Sequence, residues 1–240
     1  RDQPRSRGLG DVYKRQVFCF LILTYILVGI YFFEGDMARK CKEDAEKTRQ
    51  AVLESALDVF SEKGYAKATF DEIAARAGFT KGAVYWYFRN KADLVAALII
   101  EYVGRKREEL MPNVPEGNTL ENLLEYFVLW ADAGEKDLRF SRFNRFIMCQ
   151  MEWSEAVIDR VDRALALTKN FHLEKVNQVL VELKAKNELR DDLDINMIQH
   201  IIVATYMGIV FSTLSKRADY NVADMVRAGL GLLFESIKRK

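Results

Sequence analysis

The chain has 240 residues, half of them hydrophobic and 30% charged, with a net charge of +1. That composition suits a globular protein rather than a disordered or fibrous one, and with no global field to draw it to nucleic acid, any basic surface must be local. Its three cysteines (Cys19, Cys41, Cys149) are not spaced as pairs, its two histidines (His172, His200) form no HExxH, and GxSxG is absent, so a disulfide framework, a zinc site and the common hydrolase motifs are not indicated.

The chain opens on an anomaly. VFCFLILTYILVGIYFF, residues 17–33, carries no charge and is 17 residues long, the lower edge of a membrane-spanning helix. Lys14 and Arg15 precede it, and Glu34 and Asp36 come after it. No A-x-A-like cleavage site lies beyond it, which argues against a signal peptide. As an anchor its orientation is ambiguous, with five basic residues within reach on each side; the immediate flanks favour an inside N-terminus, which would put everything after it outside the cell. Met37 begins MARKCKEDAEKTRQ, which looks like a natural start, and the upstream stretch GLGDVYKRQ resembles translated adaptor sequence. Residues 1–36 are therefore expected to be an artefactual extension, with a real anchor at 17–33 as the alternative.

Helical signals begin after Met37. Leu53, Ala56, Leu57 and Phe60 fall at i, i+3, i+4 and i+7, an amphipathic stripe closed by Gly64. Thr69-Phe70-Asp71-Glu72 reads as a capping box, opening a short helix with an apolar face of Phe70, Ile73, Ala74 and Ala77. Gly78 ends it, Thr80 caps the next, and that third helix runs through Ala83-Val84-Tyr85-Trp86-Tyr87-Phe88. Two short helices joined by a glycine turn make a helix-turn-helix pattern.

In the third helix Val84 and Phe88 are four apart and should anchor it on the core. Lys81, Gly82, Ala83, Tyr85, Trp86 and Tyr87 then lie largely on the outer face. An exposed aromatic and basic surface calls for a molecular partner. Asn90 is a candidate cap for a fourth helix, with Asp93 at its third position.

EIAARAGFTKGAVYWYFRNKADL, with TRQAVLESALDVFSEKGYAKAT before it, closely resembles the DNA-binding domain of TetR/AcrR-type repressors, over residues 44 to about 100. The MARK opening and the Tyr85-Trp86 pair most resemble the AcrR-like multidrug-efflux regulators. Tyr87 stands where a histidine is common, which keeps a hydrogen-bonding ring. The resemblance implies roles. Thr69, at a helix N-terminus, would meet a phosphate. Thr80, Lys81, Gly82 and Ala83 would sit at the floor of the major groove. Tyr85, Trp86 and Tyr87 would touch phosphates, sugars or thymine methyls. Lys91 would hold a phosphate.

MPNVPEGN (111–118) is the clearest break in the remainder, and helices are expected from Thr119 and over about 136–153, 155–187, 193–215 and 221–238. INMIQHIIVATYMGIVFSTL (195–214) is apolar almost all round and is expected to be buried on all sides. The last helix carries a stripe of Val222, Val226, Leu230, Leu233 and Ile237, with an Ala228-Gly229-Leu230-Gly231 run suited to close helix approach. So much apolar surface suggests a four-helix dimer interface, as the resemblance also implies; burial inside the monomer is the alternative. The resemblance implies an effector pocket among the middle helices, for which Phe127, Trp130, Phe146, Cys149, Trp153 and Phe171 are the candidates.

The expected protein is thus all-α. Residues 37–91 form an N-terminal three-helix helix-turn-helix DNA-binding domain, and residues 92–240 a C-terminal helical ligand-binding and dimerisation domain. Its expected function is that of a cytoplasmic, homodimeric, ligand-responsive transcriptional repressor. Its partners would be a double-stranded operator and a small apolar effector, without cofactor, metal, stable membrane partner or enzymatic activity. The alternatives are a membrane-tethered regulator and a helical ligand-binding protein without DNA function.

Overall fold

The computed structural model describes residues 39–165, 171–215 and 220–239. The apolar run 17–33 and the expected extension 1–36 lie outside the described residues. Among those described there are ten α-helices and no strand: α1 Arg39–Lys63, α2 Phe70–Ala77, α3 Lys81–Tyr87, α4 Lys91–Leu110, α5 Leu120–Lys136, α6 Leu138–Arg145, α7 Glu155–Leu165, α8 Phe171–Ala185, α9 Ile195–Leu214 and α10 Val222–Ile237.

Helix starts are set closely by residue chemistry. Thr69, Thr80, Asn90, Thr119, Asp137, Asp194 and Asn221 each precede a helix, and each side-chain oxygen accepts a backbone N–H of the first turn. These are the residue types whose short polar side chains satisfy the donors a helix leaves unpaired. At Thr69 the box is complete: Thr69 Oγ1 accepts from the Glu72 amide, and Glu72 accepts from the Thr69 amide. Gly78 ends α2 at φ 76°, a left-handed geometry that costs glycine least.

The packing runs in two layers of contacts. The helix α1 packs on α2, α3, α4 and α6, while α4 also packs on α7; α10 packs on α5 and α9, and α9 on α8. Phe60 of α1 stacks on Phe146 at 5.0 Å and an interplanar angle of 3°. His172 sits fully buried among Tyr126, Phe127, Trp130 and Tyr206, hydrogen-bonded to the Tyr126 hydroxyl. Burial, then the nearby Arg107 charge, push its pKa down to about 3. It is a neutral core imidazole across the physiological range.

Three sequence expectations are corrected. The helix expected over 136–153 is interrupted: α6 ends at Arg145, residues Phe146–Gln150 form one π-helical turn, and the backbone is extended at Met151. The span 155–187 is two helices, α7 and α8, with residues 166–170 outside the described set. Finally, α9 is not buried on all sides. Ile198, Ile202, Val203, Tyr206 and Met207 are buried, but Met197 is 62% exposed and Ile201 is exposed too. By length and composition alone α9 could cross a membrane. Close approach at the glycine run is real: a Cβ on Gly229 would lie 2.9 Å from Ile209 Cδ1 of α9.

Candidate DNA interface and effector cavity

The helix-turn-helix places its side chains in two classes. Val84 and Phe88 are buried and fasten α3 to the core. Thr69, Thr80, Lys81 and Gly82 are exposed and Ala83 is half-buried. Tyr85 is 50% exposed and Trp86 75% exposed, so two large rings stand in solvent beside Lys81. The Tyr85 ring leans edge-on against Phe70 at 4.8 Å. Lys81 Nζ lies 2.6 Å from Asp71 Oδ2 of α2, and that hydrogen bond raises the ammonium pKa, keeping it charged.

Tyr87 and Lys91 differ from the outward placement. Tyr87 is half-buried, and its hydroxyl donates to the Ala45 carbonyl of α1 at 2.9 Å. Lys91 turns inward: its ammonium donates to the Tyr65 and Ala66 carbonyls at 2.6 and 3.0 Å and lies 4.6 Å above the Tyr65 ring. Desolvation lowers its pKa, against the opposing pull of Glu152. Both residues therefore brace the α1–α2 turn and the N-terminal part of α1 in this conformation. Lys91→Ala is expected to lower the unfolding free energy by about 1–3 kcal/mol, because two carbonyls lose a charged donor; urea unfolding measures it.

The effector candidates scatter. Only Trp130 among them lines the cavity of about 450 Å³ that lies between α5, α6, α9 and the start of α10. Phe127 is buried against Tyr206 and His172. Phe146 faces the other way, onto Phe60. Cys149 is exposed. Trp153 is half-buried, its indole N–H donating to the Ile147 carbonyl at 3.3 Å. The Phe171 side chain lies outside the described set. The cavity instead uses Phe140, Phe143, Met148, Tyr206, Met207 and Val210 as apolar wall, with Glu135, Ser141, Asn144, Arg145 and Asn221 as polar groups. Ser141, Asn144, Arg145 and Met148 fall at i, i+3, i+4 and i+7, a helical spacing present in the sequence that a search for aromatic and soft side chains passes over.

The helix α6 also meets α1. Arg139 and Arg142 reach Asp58 at 3.0 and 2.6 Å, and Arg139 lies 3.5 Å from Glu54. One face of α6 thus borders the cavity while the other grips the first helix of the DNA-reading module. Helix α4 is tied in from both ends, by Asp93 to Arg160 of α7 and by Lys106 to Asp137 at the start of α6. Among the described residues no group of three or more His, Cys, Asp or Glu is placed to hold a metal ion.

Comparison with known proteins agrees with this architecture. The family model for bacterial regulatory proteins of the tetR family matches residues 52–98, the span from α1 to α4. The HTH-type transcriptional regulator AcrR of Shigella flexneri is 33% identical over 153 residues, covering 62% of this chain and 71% of that protein. The regulator SrpR of Pseudomonas putida is 28% identical over 196 residues, covering 81% and 87%. In structure, NalD, described as the secondary repressor of the MexAB-OprM multidrug efflux pump of Pseudomonas aeruginosa, superposes with a TM-score of 0.70 over 82% of this chain and 98% of its own, at 23% identity. With a capped helix-turn-helix at its N-terminus and an all-helical remainder, the chain belongs to the TetR/AcrR family of bacterial transcriptional regulators.

Proposed function

We propose that the chain is a homodimeric repressor that binds a near-palindromic operator and releases it when a small molecule fills the α5–α6–α9–α10 cavity. The carrying observation is the exposed Lys81-Tyr85-Trp86 surface on a short helix anchored from behind by Val84 and Phe88. The DNA contacts are assigned to Thr69, Thr80, Lys81, Gly82, Ala83, Tyr85 and Trp86, with Tyr87 and Lys91 positioning the module. The reading module extends from Met37 to the start of α4 at Lys91, and residues 92–240 form the effector and dimerisation domain. Efflux or related genes are the proposed targets, since the structural neighbour NalD is described as an efflux-pump repressor. The protein acts in the cytoplasm, by binding rather than by catalysis.

Exposed apolar side chains support the dimer. Met197 and Ile201 of α9 and Leu232 of α10, 76% exposed, stand on the two adjacent C-terminal helices. Two copies related by a two-fold axis would cover one another there, and a two-fold protein reads a two-fold DNA site. Control requires that the ligand bind the non-DNA conformation more tightly.

The test is fluorescence-anisotropy binding of the purified protein to DNA from upstream of its own gene, against scrambled DNA at one fixed salt. A preference of about 10³ or more is expected. Equal weak binding to both would remove the assignment of a local operator.

A further inference from the structure

Resting on the reading of the cavity as an effector site, we infer that the effector is an amphipathic monoanion, its apolar body against Trp130, Met207 and Val210 and its anionic group held by Ser141, Asn144 and Arg145. The three polar residues share one face of α6, because positions i, i+3 and i+4 are neighbours on a helix. All three line the cavity and all are half-buried. Among the described residues none of their side chains makes a hydrogen bond or ion pair.

The contrast within α6 decides the sign of the charge. Arg139 and Arg142 both have carboxylate partners on α1, Asp58 for both and Glu54 for Arg139 as well. Among the described residues Arg145 has no ion-pair partner, and it lines the cavity. A partly desolvated guanidinium without a counter-ion is unfavourable, and a bound anion removes that cost while gaining a charge-assisted hydrogen bond. Glu135 also lines the cavity, but it is solvent-exposed and already accepts from Asn221 Nδ2 at 2.8 Å. No ion pair joins it to Arg145. A ligand cation would therefore meet an unpaired arginine on the half-buried wall, while the Glu135 carboxylate stands in solvent, where its attraction is screened. The volume of about 450 Å³ lies within the range that encloses small organic ligands.

Isothermal titration of the full protein with decanoate, decanol and decyltrimethylammonium, each below its micelle concentration and at one salt, tests the inference. Decanoate is expected to bind at least about tenfold more tightly than decanol, in line with the strength of charged hydrogen bonds, and the ammonium more weakly than either. Arg145→Gln should abolish the advantage of decanoate over decanol. Arg145→Lys, which keeps the charge, should retain most of the advantage. An ammonium probe that binds as tightly as decanoate would overturn the charge assignment alone, as would an Arg145→Gln protein with its full carboxylate preference. Failure of all three probes to bind would overturn the effector-cavity reading and this inference with it.

Discussion

Asp137→Ala is expected to destabilise the protein by about 3 kcal/mol, a fall in Tm of roughly 6–12 °C for a chain of this size. Two roles end together in that carboxylate. It lies 2.6 Å from Lys106 Nζ, and the Lys106 side chain is only 6% exposed. The other partner of Lys106, Glu109, is at 2.7 Å but largely in solvent, so it replaces Asp137 poorly. Asp137 is also the N-cap of α6, accepting from the Arg139 and Phe140 amides at 2.9 and 3.0 Å. Asp137→Asn keeps a capping oxygen without the charge and should recover about 1 kcal/mol of the loss.

The same contacts set the pH dependence. Burial pushes the Asp137 carboxyl up, but the Lys106 ammonium and the two amides outweigh it and hold the group below its usual value. A carboxyl depressed in the folded state stabilises above its unfolded pKa and loses that contribution as pH falls through the folded value. The gap between wild type and Asp137→Ala should therefore be full at pH 7 and shrink below about pH 4. Urea unfolding at neutral and acid pH measures it. A gap that persisted unchanged in acid would mean the ion pair was not its source.

Trp86→Ala should show the opposite pattern: an operator affinity lower by about 30-fold, or ~2 kcal/mol, with stability within about 0.5 kcal/mol of wild type. The ring is 75% exposed, and its aromatic neighbour is Tyr87, edge-on at 4.6 Å. Removing it leaves no cavity, because α3 is held by Val84 and Phe88 on its other face. Anisotropy titrations beside thermal melts separate the two quantities. A joint loss of both would show that Trp86 supports the fold, and unchanged binding would take it out of the interface.

The N-terminal module was legible because its signals are local. Caps, glycine stops and the Val84–Phe88 spacing each fall within one or two helical turns, and each residue type has one strongly preferred place. The cavity was not legible by composition. Phe127, Phe146, Cys149 and Trp153 share the soft, aromatic character of a pocket, yet helical phase decides where each faces. Helix α6 also ends in the π-helical turn at Phe146–Gln150, with extended backbone at Met151, so a helical count carried on to Trp153 misplaces that side chain. For α9 the difficulty is of another kind. An all-round apolar helix reports that its faces seek cover, and is silent on whether the cover comes from the same chain or a second copy.

In the function proposed above, the two sides of α6 and of the π-helical turn after it separate sensing from response. Ser141, Asn144, Arg145 and Met148 border the cavity, whereas Arg139, Arg142 and Phe146 hold α1. Codons a single position apart thus fall under different selection. Under the function proposed above, descendants of this gene would acquire new inducers by drift at the first set without rebuilding the joint to α1, and an old inducer could be forgotten while the operator is still recognised.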